Sequence, residues 1–148
     1  MQWKPNVTVA AVAVQDGRFL VVEEISKGRT VINQPAGHLE KSETLIQAVK
    51  REVLEETAWE FEPEYIVGLY LYTNRREDIT YMRVCFAGSC VQHHPDNKLD
   101  TGILRTLWVT KEELEEMQDR MRSSMVLRCI NDFTSGKKYP LDILNHYL

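Results

Sequence analysis

Residues 37–59 read GHLEKSETLIQAVKREVLEETAW, and their spacing predicts one helix carrying Glu52, Glu55 and Glu56, with Gly37 and Glu43 at its entrance. With Glu52 set at zero, Glu56 lies about 40° to one side and Glu55 about 60° to the other, while Leu45, Ile46, Val49 and Val53 fill an arc from roughly 20° to 120°. The acids therefore border the apolar stripe instead of opposing it. Glu52 and Glu56 are drawn toward the protein body, where an unpaired carboxylate is costly. A bound cation removes that cost, and hard divalent cations take oxygen ligands of this kind and handle phosphates. Taken alone, E-x-x-E-E also suits an acidic surface helix with i, i+4 pairs such as Arg51 with Glu55.

The longer spacing adds to this. A glycine, five residues, Glu43, seven residues, Arg51-Glu52, an aliphatic, one residue, Glu55-Glu56, one residue, Ala58 and apolar Trp59 together resemble the signature of the Nudix hydrolases. One defined position departs, because the family places glycine where this chain has Ala58. If the helix end requires a left-handed residue there, alanine loses roughly 1–2 kcal/mol. No ligand is lost by the exchange. Three further segments, VAVQDGRFLVVEE at 12–24, NQPAGHLE at 33–40 and SSMVLRCINDFTSGKKYPL at 123–141, resemble a group of bacterial phosphatases within that family.

The resemblance implies an α/β fold, the Nudix αβα sandwich with a mixed β-sheet, as a single domain over residues 1–148. It also implies metal-dependent hydrolysis of nucleoside tri- and diphosphates or thiamine-pathway pyrophosphates. Dinucleotides or sugar nucleotides are the alternative substrates, and a non-catalytic nucleotide-binding module is the alternative class. Mg2+, with Mn2+ as a substitute, would be held by Glu52, Glu55 and Glu56. By resemblance the Gly37 carbonyl joins them, Arg51 orients a carboxylate and Glu43 supports the helix entrance. A diphosphate bond is shielded by anionic oxygens, so hydrolysis needs charge neutralisation and an oriented water or hydroxide. Glu52 is the choice for general base, directly or through a hydroxide on the cation, with Glu56 and a loop acid as alternatives. In some relatives a loop acid adds a ligand; here Gly102 falls at the expected place and Asp100 is the nearest carboxylate.

Composition sets the outer bounds. With 148 residues and 43% apolar content the chain can bury a core without disulfides or structural metal, and a formal net charge of -4 disfavours nucleic-acid polymers as partners. Small phosphorylated substrates are unaffected by that argument. Cys85, Cys90 and Cys129 are odd in number and lack C-x-x-C spacing, which predicts reduced thiols and, with no membrane-length apolar run, a soluble cytoplasmic protein, monomeric or homodimeric.

Strand and helix signals alternate along the chain. Val7–Val14 and Phe19–Glu24 around Asp16-Gly17 predict a hairpin; Arg29–Ile32, Tyr65–Thr73, Thr80–Ala87 and Ile103–Val109 predict further strands. Ser42 is the expected cap of the acidic helix, Thr110 with Glu113 the capping box of a second helix, and Met125–Phe133 a third helix. Substrate-binding residues are not assigned. His38, Lys27 and Arg29 are candidates for phosphate contact, and Trp3, Tyr70, Tyr72 and Tyr81 for ring stacking, although strand aromatics more often pack in the core or at its rim. His93-His94-Pro95-Asp96 predicts a polar loop, since adjacent histidines diverge and lack ligand spacing.

Overall fold

The computed structural model describes residues 1–148. The expected hairpin forms from β1 (Asn6–Gln15) and β2 (Arg18–Ser26), turning through Asp16 and Gly17, both at positive φ as a tight primed turn requires. The two strands stay paired only at Val14 with Phe19 and Gln15 with Arg18. Beyond that point they splay into different ladders. β1 runs antiparallel to the three-residue β4 (Ala36–His38) and parallel to β6 (Ile79–His93), which in turn pairs with β5 (Trp59–Asn74). β2 lies between β3 (Arg29–Asn33) and β7 (Ile103–Val109) in a wholly antiparallel group.

Helices cover both faces of this mixed sheet, as the αβα expectation requires. On one face Val9, Ala11, Val84 and Phe86 pack against Ala48, Val49 and Val53 of α1 (Leu45–Thr57). On the other, Ala10, Val12, Cys85 and Ala87 pack against Cys129 and Ile130 of α3 (Met125–Thr134), with Leu114 of α2 (Lys111–Glu116) at the same core. The alternation of Val9-Ala10-Ala11-Val12 between the two cores is the period-two signature of a strand buried on both sides.

Three expectations need correction. Thr44, not Ser42, caps α1: its hydroxyl accepts from the Gln47 amide, and Gln47 Oε1 accepts in return from the Thr44 amide at 2.9 Å. Ser42 instead turns the chain with φ 66°. β5 and β6 extend well beyond Tyr65–Thr73 and Thr80–Ala87, because three register shifts absorb the Pro63 and Gly68 region that interrupts the strand pattern. β4 had no strand signal, being three residues long. The capping box at Thr110 and Glu113 is present as expected.

Candidate functional site

The helix geometry places the acids as the spacing demanded. Glu52 is 9% exposed and Glu56 8%, beside Val49 and Val53 at the inner face of α1, whereas Glu55 is half-buried. Carboxylate oxygens of Glu52, Glu55 and Asp100 lie within 4.8 Å of one another. Asp100 comes from the loop before β7, anchored by its own amide donating to the Glu55 carbonyl at 3.0 Å. No helical periodicity links Asp100 to the acids.

Arg51 organises the entrance. Its Nε and Nη2 donate to the two oxygens of Glu43 at 2.6 and 3.0 Å, its Nη1 to Glu52 Oε1 at 2.7 Å and Glu55 Oε2 at 3.3 Å, and Nη2 also to the His38 carbonyl at 3.0 Å. The simple i, i+4 pair with Glu55 is thus the longest of these bonds. Glu43 lies just before the helix, at its entrance, and the fork holds its carboxyl below the ordinary range. For Glu52 burial outweighs Arg51 and raises the carboxyl. Burial pushes Glu56 up to about 9, although the Ala36 amide donates to its Oε1 at 3.0 Å.

Gly37 sits in β4 in register with Val9, and its backbone presses against the Glu52 carboxylate. A Cβ at this position would fall inside 3.0 Å of all three carboxylate atoms. The glycine at the head of the motif is therefore required by close approach. At the other end, Ala58 closes α1 in the left-handed conformation, φ 62° and ψ 19°, with its amide donating to the Leu54 carbonyl. The strained alternative anticipated for this departure is the one adopted.

The remaining candidates separate. His38 is exposed on β4, with its ring 6.3 Å from that of Tyr81. Tyr72 and Tyr81 stack at 5.4 Å, Tyr70 turns its hydroxyl to Asp132 at 2.7 Å, and Trp3 is 69% exposed. Lys27 pairs with Glu77, Arg29 is exposed, and His94 meets Glu60 at 2.6 Å in a polar turn. All three cysteines are free, and no helix is long and apolar enough to cross a membrane. A concavity lined by Ile66, Gly68, Tyr70, Asp132 and Tyr139 lies on the α3 side of the sheet away from the acids.

Sequence reading missed three buried polar groups. Glu23 is held by Arg105 and Arg120, and Glu24 by Asn33 and Arg122. Arg83 reaches Gln34. A lone cation inside YMRVCF and twin acids closing an apolar strand were the available signals.

The family model described as NUDIX domain matches residues 4–127. The chain is 37% identical over 145 residues to Phosphatase NudJ of Escherichia coli K12, covering 98% of this chain and 94% of that protein. A NUDIX hydrolase structure from Nitrosomonas europaea matches with TM-score 0.96 and 51% identity over 97% of this chain and 98% of its own. The MutT protein of Methanosarcina mazei Go1 shares the fold, with TM-score 0.73 and 24% identity over 93% of this chain and 100% of that one.

Proposed function

The chain belongs to the NUDIX family, and on that premise we propose that it uses Mg2+, or Mn2+ in its place, to hydrolyse phosphoanhydride bonds of nucleoside tri- and diphosphates and of thiamine-pathway pyrophosphates. The observation that carries this reading is the convergence of Glu52, Glu55 and Asp100 within 4.8 Å, with Glu56 buried behind them. Clustered carboxylates repel one another, and a hard divalent cation is the natural counter-charge. The donor set fits: hard oxygens only, with a glycine backbone pressed against one of them.

In this assignment Glu52, Glu55 and Glu56 hold the ion, the Gly37 carbonyl joins them, and Asp100 is a further ligand. When bound, the cation neutralises the anhydride oxygens and favours ionisation of the attacking water. Arg51 fixes Glu52 through Oε1, which leaves Oε2 to accept a proton. Burial raises the Glu52 carboxyl above its ordinary range, against the opposing pull of Arg51. Glu43, bound bidentately, keeps the guanidinium in place.

The whole chain acts as one domain in this reading, and its three free thiols suit a reducing cytoplasm. The partners are small phosphorylated molecules, and the active unit is a monomer or homodimer. A purely nucleotide-binding module would have no need to retain all three helix acids. Phosphate and pyrophosphate release should be measured with Mg2+ across nucleoside di- and triphosphates, thiamine diphosphate, dinucleotides and sugar nucleotides, beside Glu52→Gln. Turnover of at least one class, abolished in Glu52→Gln, is expected. Absence of turnover on every substrate, or full activity in Glu52→Gln, overturns the proposal.

A further inference from the structure

Of the guanidinium groups bonded to acids around the carboxylate cluster, Arg51 has no donors to spare. Its Nε, Nη1 and Nη2 are spent on Glu43, Glu52, Glu55 and the His38 carbonyl. Arg122 makes a single side-chain hydrogen bond, from Nη1 to Glu24 Oε1 at 2.8 Å, and its side chain is 52% exposed. Its Nε and Nη2 are therefore open to an anion, and they form the same two-donor edge with which Arg51 grips Glu43. A diphosphate is rich in anionic oxygens, so a site that cuts it gains from a positive group besides the cation.

Strand alternation puts Arg122 on the face that carries the acids. Leu20 packs in the core against α1 and Val21 in the core against α3, so Val22 and Glu24 share the face of Leu20 while Glu23 shares that of Val21. The arginines sort accordingly: Arg105 and Arg120 take the two oxygens of Glu23, and Arg122 takes Glu24. Glu24 is also the register partner of Ile103, whose amide donates to the Asp100 carbonyl at 3.1 Å. The next residue, Ile25, donates its amide to the Gly102 carbonyl at 2.9 Å. The loop that supplies Asp100 is thus pinned to the end of β2 beside Glu24. Burial, and then the charges of Glu52, Glu24 and Asp100, raise the Glu56 carboxyl, so Glu24 lies within electrostatic reach of the cluster.

Arg122 is held at both ends. Its amide donates to the Ile32 carbonyl at 2.9 Å and Met121 bridges to the same residue, which fixes the backbone against β3. The Glu24 side chain is only 8% exposed and accepts from Asn33 Nδ2 at 3.3 Å. Asn33 is itself 5% exposed, and its Oδ1 is buried without a partner. Unsatisfied buried groups are few in native folds, and breaches of this kind gather at functional sites. Here the amide that leaves its own oxygen unpaired steadies the carboxylate that aims the guanidinium.

We propose that Arg122 binds phosphate oxygens of the substrate's diphosphate group beside the cation, with Glu24 as its positioning residue. This inference rests on the hydrolase reading above and adds a substrate-binding residue to it. The planar Nε–Nη2 edge matches two phosphate oxygens at once, whereas a lysine would meet them as a point charge.

Methylenediphosphonate, a ringless diphosphate analogue with no anhydride to cut, separates binding from hydrolysis. Its binding in the presence of Mg2+ is measured by calorimetry on the wild-type chain, Arg122→Gln, Arg122→Lys, Glu24→Asp and Arg105→Gln. Arg122→Gln should weaken binding about tenfold and Arg122→Lys, which keeps a charge beside Glu24, about threefold. Glu24→Asp retains the charge but withdraws the anchor; it should cost about threefold in the wild-type background and nothing further in Arg122→Gln. Arg105→Gln, on the opposite face, should stay within about twofold of wild type. On any substrate that is turned over, Arg122→Gln should raise KM about tenfold and change kcat less than threefold. A wild type that does not bind the diphosphonate, Arg122 variants that bind it as wild type does, or an equal loss in Arg105→Gln overturns the proposal. Binding that depends on Arg122 with no substrate cleaved would remove the hydrolase reading and leave the anion site. Turnover with binding indifferent to Arg122 would remove the assignment of Arg122 alone.

Discussion

Gly37→Ala tests whether the approach of β4 to the acidic helix sets the position of the reacting carboxylate. Gly37 does not have a positive φ, so alanine is compatible with its backbone. The added methyl acts through sterics alone. It would arrive inside 3.0 Å of the Glu52 carboxylate, where ordinary contact begins at 3.4 Å. Glu52 must then retreat by about 1 Å, a displacement that costs on the order of 100-fold in rate when it affects a catalytic group. The expected result is a kcat about 100-fold lower with Mg2+ present, accompanied by a melting temperature within a few degrees of wild type. Gly17→Ala is the control: its φ is 74° with nothing within 4 Å, so it should lower stability by about 1–2 kcal/mol and leave turnover per folded molecule unchanged. If Gly37→Ala kept activity within about threefold of wild type, the contact would not set the geometry of Glu52.

Asp100→Asn should raise the Mg2+ concentration for half-maximal activity about tenfold, because one anionic ligand is lost; an unchanged metal titration would remove Asp100 from the site. Hydrogen bonds from Arg120 and then Arg105 hold the Glu23 carboxyl below its ordinary 4.5, so the stability it contributes is present above that pH and is lost as pH falls through the lowered value. Arg120→Leu should therefore lower the melting temperature at pH 7 and do so progressively less as pH falls below 4.5; an effect independent of pH would contradict the ionic assignment. Ala58→Gly relieves about 1–2 kcal/mol of left-handed strain, against about 0.4–1 for added chain freedom and about 0.8 for the lost buried methyl. Since Ala58 is only 3% exposed, the net change should fall within about 1 kcal/mol of zero, and a denaturation series showing a larger gain would mean that the methyl contributes little.

What could be read in advance was the part governed by local spacing. Glu52, Glu55, Glu56, Val49 and Val53 lie on one helix, so 3.6 residues per turn suffices to sort inward from outward. The hairpin was equally legible, because Asp16-Gly17 forms the primed turn through local backbone preference. Asp100 joins Glu55 through a loop returning from β6, a relation that no periodicity carries. The strand ends at Trp59 and His93 were hidden because pairing along the β5–β6 ladder overrides the local cost of Pro63 and Gly68. Thr44 displaced Ser42 as the cap because Gln47 completes the reciprocal bond three residues on.

The splayed hairpin has a kinetic consequence. After the turn, β1 finds β6 across a separation of 75 residues, from Thr8 to Arg83, while β2 finds β7 across 90, from Phe19 to Val109. Closing such distances costs chain entropy before any contact rewards it, and this topology predicts folding on a millisecond-to-second scale. The α1 turn can form early, but the loop bearing Asp100 lies between β6 and β7 and is placed only once both long-range ladders have formed. The carboxylate cluster thus assembles last, and cation affinity should report completion of the fold during refolding.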